Sequence, residues 1–198
     1  QWAGNGVTNG GLFTPNGVGI YNLIYGYTDP STGCYNEDSL SLNVISPDTA
    51  NAGSDFSVCV DTGQIQLVGI PSGNTGLWTG STIDSTGLFD VTIAGSGVYT
   101  FTYSYGEGNC LTTDDLDLTV NELPTINTGL DQNICYQDTA NISAIITGGI
   151  SPYTQQWLPS GVLNNDTILA PFLVVDNDYE FVLTVTDNFG CVNTDTIK

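Results

Sequence analysis

Five cysteines, 21 acidic side chains and a single lysine are the residues of this 198-residue chain that could do covalent, acid–base or metal chemistry; it has no histidine, and Lys198 is its one basic residue. Ser/His/Asp, Cys/His and lysine-dependent schemes need a base or an amine that this composition does not supply. Paired carboxylates remain, as in glycoside hydrolysis. Asp115 and Asp117, however, alternate with Leu116 and Leu118, the period of a strand with one wet face. The expectation is a protein that is not an enzyme.

Metal chemistry is also poorly served. Soft clusters need histidine or close Cys-x-x-Cys spacing, and neither is present. Oxygen ligands would suit calcium, and Asp176, Asp178 and Asp187 with Asn188 are the candidates, but there is no Asp-x-Asp-x-Asp-Gly loop. Asp and Asn at such places form turns, so no cofactor is expected. Cys34, Cys59, Cys110, Cys135 and Cys191 are instead expected to form disulfides, which implies an oxidising, extracytoplasmic compartment.

The spacing of these residues exposes a tandem array. Trp2, Trp78 and Trp157 stand 76 and 79 residues apart, and Cys34, Cys110 and Cys191 stand 76 and 81 apart. An earlier class of cysteine, Cys59 and Cys135, is again 76 apart. Trp2-Ala3-Gly4 with Gly11-Leu12-Phe13 matches Trp78-Thr79-Gly80 with Gly87-Leu88-Phe89. A fixed period of this kind means one fold repeated. At its centre is an alternating strand, Gly97-Val98-Tyr99-Thr100-Phe101-Thr102-Tyr103-Ser104-Tyr105, with counterparts at 19–27 and 179–185.

The landmarks divide the chain into residues 1–46, the C-terminal half of a repeat; 47–121, a complete repeat; and 122–198, a further repeat. Gly, Pro and Asn punctuate at strand spacing and no stretch has a helical period, so the class is all-β. About seven short strands per unit fit an immunoglobulin-like β-sandwich. Each complete repeat has one early and one late cysteine. Pairing within repeats gives Cys59 with Cys110 and Cys135 with Cys191; pairing between successive repeats or between chains is the alternative. A loop of ~50 residues closed within a repeat would add up to ~4 kcal/mol.

A net charge of −20 with no arginine excludes nucleic acid as a partner, because phosphate contacts are made mostly by Lys and Arg. Anionic membrane surfaces are excluded for the same reason, and no segment approaches the ~18 apolar residues of a membrane span. Only 11% of residues are charged, unlike a disordered acidic tail, so the acidity is expected to be a solvated surface. Gln1 opens no signal peptide, as in a mature or excerpted region.

The order Cys59, Trp78, Gly97-x-Tyr99-x-Phe101-x-Tyr103, Cys110, together with Tyr179-Glu180-Phe181-Val182-Leu183-Thr184-Val185-Thr186-Asp187-Asn188-Phe189-Gly190-Cys191, resembles the Ig-like and PKD-like repeats of large Bacteroidetes surface proteins. These include gliding-motility-type adhesins exported by the type IX system. Gly97-x-Tyr99 also resembles the tyrosine corner of Ig-like sandwiches. The resemblance implies a non-enzymatic stalk or filament segment of a long extracellular adhesin, at the cell surface, whose partners are neighbouring repeats or filament subunits. The rival reading is a carbohydrate- or surface-binding module that stacks sugar rings on Tyr105, Tyr136 or Tyr153. Bacteroidetes O-glycosylation, which favours Asp followed by Ser or Thr, would fall on Ser39, Thr49, Ser85, Thr139, Thr167 and Thr196; common turn chemistry explains the same dipeptides.

One expectation concerns residues 1–46. Counting back from the Cys59–Trp78 spacing, pairing within repeats would put the partner of Cys34 about 17 residues upstream of Gln1. Without its early strands, the face carrying Trp2, Tyr21, Leu23 and Tyr25 would be open to water. Burying such side chains is worth ~1.5–3 kcal/mol each, so an additional segment is expected to complete this half-repeat.

Overall fold

In every copy of the repeat the tryptophan lies directly across from the central strand: Trp2 opposite Tyr25, Trp78 opposite Tyr103, Trp157 opposite Leu183. The computed structural model describes residues 1–72 and 76–198. It separates into two compact units, one of residues 1–49 with 106–112 and the other of residues 50–105 with 113–198. The unit boundaries differ from the repeat boundaries because the turn at Gly106–Thr112, although part of the second repeat, clusters with the first unit.

The first unit is one antiparallel sheet of β1 (Trp2–Ala3), β2 (Gly19–Thr28) and β3 (Tyr35–Val44), in that order. Alternation in β2 buries Tyr21 and Leu23. The turn to β3 is tied by Asp29, whose Oδ1 accepts from the backbone N–H and hydroxyl of Ser31. Trp2 rests on Tyr25 at 5.2 Å and Phe13 on Tyr21 at 5.1 Å between ring centroids. No second sheet covers this one among the described residues.

The second unit contains two repeats. The earlier one has β4 (Phe56–Cys59), β5 (Gln64–Gln66), β6 (Leu77–Gly80), β7 (Leu88–Asp90), β8 (Gly97–Tyr105) and β9 (Thr112–Asn121). One sheet runs β4-β9-β8-β6 and the other β5-β7. The first strand lies parallel to the last, while the β6–β8 pair is antiparallel. Between the two sheets sit Trp78, Phe89, Phe101, Tyr103, Leu116 and Leu118, all buried. Tyr99 forms the corner: its hydroxyl lies 2.6 Å from Ala94 O and 3.0 Å from Gly95 O. Tyr21 does the same with Asn16 and Gly17 in the first unit. One four-residue helix, α1 (Val91–Ala94), interrupts the strands; Asp90 caps it through the amides of Thr92 and Ile93.

The later repeat has β10 (Thr125–Asn127), β11 (Thr139–Asn141), β12 (Ile145–Thr147), β13 (Thr154–Leu158), β14 (Phe172–Val174), β15 (Phe181–Thr186) and β16 (Val192–Ile197). Its sheets are β13-β15-β16, β11-β14 and β10-β12. The apolar stretch 142–146 is not one strand: β11 ends before it and β12 begins at Ile145. Between them Ile142 N and Ala144 N donate to Pro171 O and Leu169 O, in the segment that leads into β14. Trp157, Leu183 and Val185 form the fully buried centre. The chain is therefore all-β, 46% strand and 4% helix, built of tandem immunoglobulin-like sandwich repeats.

Candidate functional site

The parallel pairing of β4 with β9 brings the end of β4 beside the link between the two repeats of the second unit. Cys59 lies across from Asn121, and Val60 N donates to Asn121 O at 2.9 Å. The link, Asn121-Glu122-Leu123-Pro124, is anchored from the later repeat: Asn193 Nδ2 donates to Pro124 O at 2.8 Å. Pro124 is fully buried.

Cys191 is presented to this link by the turn between β15 and β16. The turn is built on Asp187, which is buried. Its Oδ1 accepts from the amides of Phe189 and Cys191, each at 2.9 Å, and its Oδ2 from Ile150 N at 3.0 Å. Burial raises the pKa of this carboxyl, but the amides of Ile150, Cys191, Phe189 and Gly190 outweigh that, so it is held below the ordinary carboxylate range. Gly190, at φ +84°, takes the left-handed position that the tight turn needs. The result is a disulfide between Cys59 and Cys191, with Cα atoms 5.6 Å apart and a sequence separation of 132.

This corrects the pairing within repeats. Cys110 precedes the first residue of β9 whereas Cys59 lies against its last, so ~30 Å of extended strand separates them. Cys135 and Cys191 are kept apart in the same way: Cys191 precedes β16, while Gln132, close to Cys135 in sequence, donates to Lys198 O beyond its end. Cys34, Cys110 and Cys135 carry free thiols, and Cys34 and Cys135 are exposed. The disulfide thus joins an early cysteine of one repeat to the late cysteine of the next.

The other candidates are placed as follows. Asp187 belongs to the turn just described, and Asp176 Oδ1 accepts from the Tyr179 hydroxyl; no group of three or more His, Cys, Asp or Glu side chains that could hold a metal is assembled among the described residues. Tyr105 packs on the core of the earlier repeat and Tyr153 on that of the later one, leaving Tyr136, 71% exposed, as the open ring of the three. Ser39, Thr49, Ser85, Thr139, Thr167 and Thr196 are all exposed. Two of the associated acids do local work: Asp84 Oδ1 accepts from Thr86 N and Leu88 N, and Asp38 Oδ1 from Ser39 N. Asp187 was legible as a turn residue; its tie to Ile150 and the cysteine partnership were not. No helix among the described residues is long and apolar enough to cross a membrane.

No family model matches the chain, and no curated protein does. Among solved structures it is similar to the N-terminal eight Ig domains of Down syndrome cell adhesion molecule, with 15% identity and a TM-score of 0.49 over 99% of this chain and 34% of that one. It is also similar to a variant of titin domains I67–I69, with 14% identity and a TM-score of 0.44 over 97% of this chain and 75% of that one. Domains 3–5 of the extracellular part of Drosophila OTK give 10% identity and a TM-score of 0.45, over 91% and 70%. The chain spans about a third of the length of the first of these.

Proposed function

We propose that this chain is a non-enzymatic stalk or filament segment of a long extracellular adhesin, of the kind carried by Bacteroidetes surface proteins exported by the type IX route. The observation that carries the reading is the disulfide between successive repeats. A bond placed there fixes one repeat to the next, which suits a spacer, and it belongs to an oxidising compartment. Length is then gained by repetition, each repeat contacting mainly its neighbours. The partners are neighbouring repeats of the same polypeptide or filament subunits. Leu40 on β3 is 46% exposed, whereas its equivalent Leu116 on β9 is 3% exposed beneath early strands such as β5. A like pair of early strands is what β2 and β3 call for.

Immunogold labelling of the intact cells that make the protein, with antibody raised against residues 50–198, should decorate surface filaments or stalks. Label confined to the cell interior would refute the reading. Saturable glycan binding by the chain, abolished by Tyr136→Ala, would favour the carbohydrate-binding module instead. The exposed Asp-Ser and Asp-Thr hydroxyls are where glycans would be carried, and an intact mass of native material equal to the bare sequence would exclude them.

A further inference from the structure

The two repeats of the second unit differ most on the outward face of β5-β7 and of its counterpart β11-β14. Val91 N donates to Gly63 O in the earlier repeat and Val175 N to Asp138 O in the later one, so Asp90 corresponds to Val174 and Leu88 to Phe172. The earlier face is polar and tied across the sheet: Gln64 Nε2 donates to Asp90 Oδ2 at 2.9 Å and Gln66 Nε2 to Thr86 O at 2.7 Å. Thr86 and Thr167 close the same turn, Thr86 N donating to Asp84 Oδ1 and Thr167 N to Asn165 Oδ1. The later repeat then has the extra residues 168–170 before its strand, and they lengthen the face. Phe172 lies across from Asn141, and the bonds from Ile142 N and Ala144 N to Pro171 O and Leu169 O carry the pairing on to Ile145 opposite Ile168. Alternation turns Ile168, Ala170, Phe172 and Val174 outward together with Ile145. All are exposed, Val174 at 59% and Ile145 at 62%.

We propose that this apolar stripe is the docking surface for a separate, basic protein, one that presents aliphatic or aromatic side chains rimmed by lysine or arginine. Contiguous exposed apolar patches mark interaction sites, and here the sibling repeat shows that the same sheet face can be kept polar. The sign of the partner's charge is set by what borders the stripe. Asp176 follows Val174 by two residues, Asp166 precedes Ile168 by two, and Asp138 adjoins Thr139, which pairs with Val174. The one lysine of the chain is already 3.7 Å from Glu180. A second copy would bring a net charge of −20 against −20 with no cation to set between them, which opposes self-association. A partner with a basic rim is steered in by that field and matches the acids, while the stripe supplies the dry centre of the contact. The surface lies within one repeat, so it does not depend on the stalk reading.

The test uses the oxidised chain and, as probe, an amphipathic helical peptide of leucine and lysine, with its leucine–glutamate counterpart as control. The lysine peptide should bind in a calorimetric titration, with amide shift changes in NMR spectra centred on Ile145, Ile168, Phe172 and Val174. Raising the salt from ~0.1 M to ~1 M should weaken it. Ile145→Gln combined with Val174→Asp, the latter copying the earlier repeat, should weaken binding at least ~10-fold at an unchanged thermal midpoint. Phe172→Ser alone provides a second reading should the double variant melt early, and Leu88→Gln on the earlier repeat should leave the affinity as it was. Undiminished binding by a folded variant, equal binding of the glutamate peptide, or shift changes centred on another face would each overturn the proposal. So would dimerisation of the chain alone in sedimentation velocity that the double variant abolishes, because the stripe would then be a contact between copies.

Discussion

Opening the Cys59–Cys191 bond tests the inter-repeat junction most directly. Its cysteines are 132 residues apart, and closing a loop of that size restricts the unfolded chain by ~5 kcal/mol in the chain-entropy model. At roughly 2–4 °C per kcal/mol for a chain of this length, reduction should lower the thermal midpoint of the second unit by up to about 10–20 °C. Cys191 is fully buried, so Cys191→Ser would also strand a hydroxyl in the core. The reduced parent chain is therefore the proper reference for Cys59→Ser. Differential scanning calorimetry of the oxidised, reduced and Cys59→Ser proteins should give one high midpoint and two lower, matching ones. Adding the Cys191→Ser change to Cys59→Ser should then cost only the packing penalty, because the bond is already gone. Equal losses for Cys110→Ser and Cys59→Ser, both abolished by prior reduction, would refute the junction and restore pairing within the repeat.

Further outcomes follow from the same packing. Asp187→Ala removes an acceptor shared by three amides and should cost ~3 kcal/mol or more by denaturant titration, with the β15–β16 turn losing amide-exchange protection first. Leu116→Ala should cost ~2–5 kcal/mol as a core truncation, and Leu40→Ala, at the equivalent but half-open position, well under half of that. Asp187 and Asp195 both have folded-state pKa values below their ordinary ones, Asp195 through the Thr128 amide above all, against its burial. Their stabilisation is complete above an unfolded-state pKa of ~3.9 and is lost as pH falls through the lower folded values. With no histidine in the chain, the melting midpoint should be flat from pH 5 to 7 and drop below pH 4.

Much of the fold could be read from periodicity, because the residues that set it recur. The repeated alternating strand marked β2, β8 and β15, and the alternation of Leu116 and Leu118 with Asp115 and Asp117 marked the buried face of β9; the pairing of each Trp strand with it came from the structure. Cysteine pairing was not legible. It depends on which end of a sandwich each thiol occupies, and that is decided by the parallel addition of β4 to β9, a contact between segments 62 residues apart in sequence that leaves no local pattern. Helix α1 escaped notice because four residues hold barely one turn, too few for a period to show; the Asp90 cap ahead of Thr92 is the one local signal. The tie from Asp187 to Ile150 spans 37 residues and depends on tertiary placement alone.

A polymer pulled from its ends carries tension only along its shortest covalent path. Within the second unit that path enters through β4, crosses from Cys59 to Cys191 and leaves along β16, so the 132-residue separation between the two sulfurs is bypassed. At ~3.3–3.6 Å per extended residue, roughly 450 Å of contour is withheld from extension while the bond is intact. Both hydrophobic cores lie inside the bypass except for the strands at its margins, and force can peel β4 or β16 without drawing out the rest. Such a segment behaves as an inextensible cord, and a reductant able to reach Cys59 would turn it into a spring.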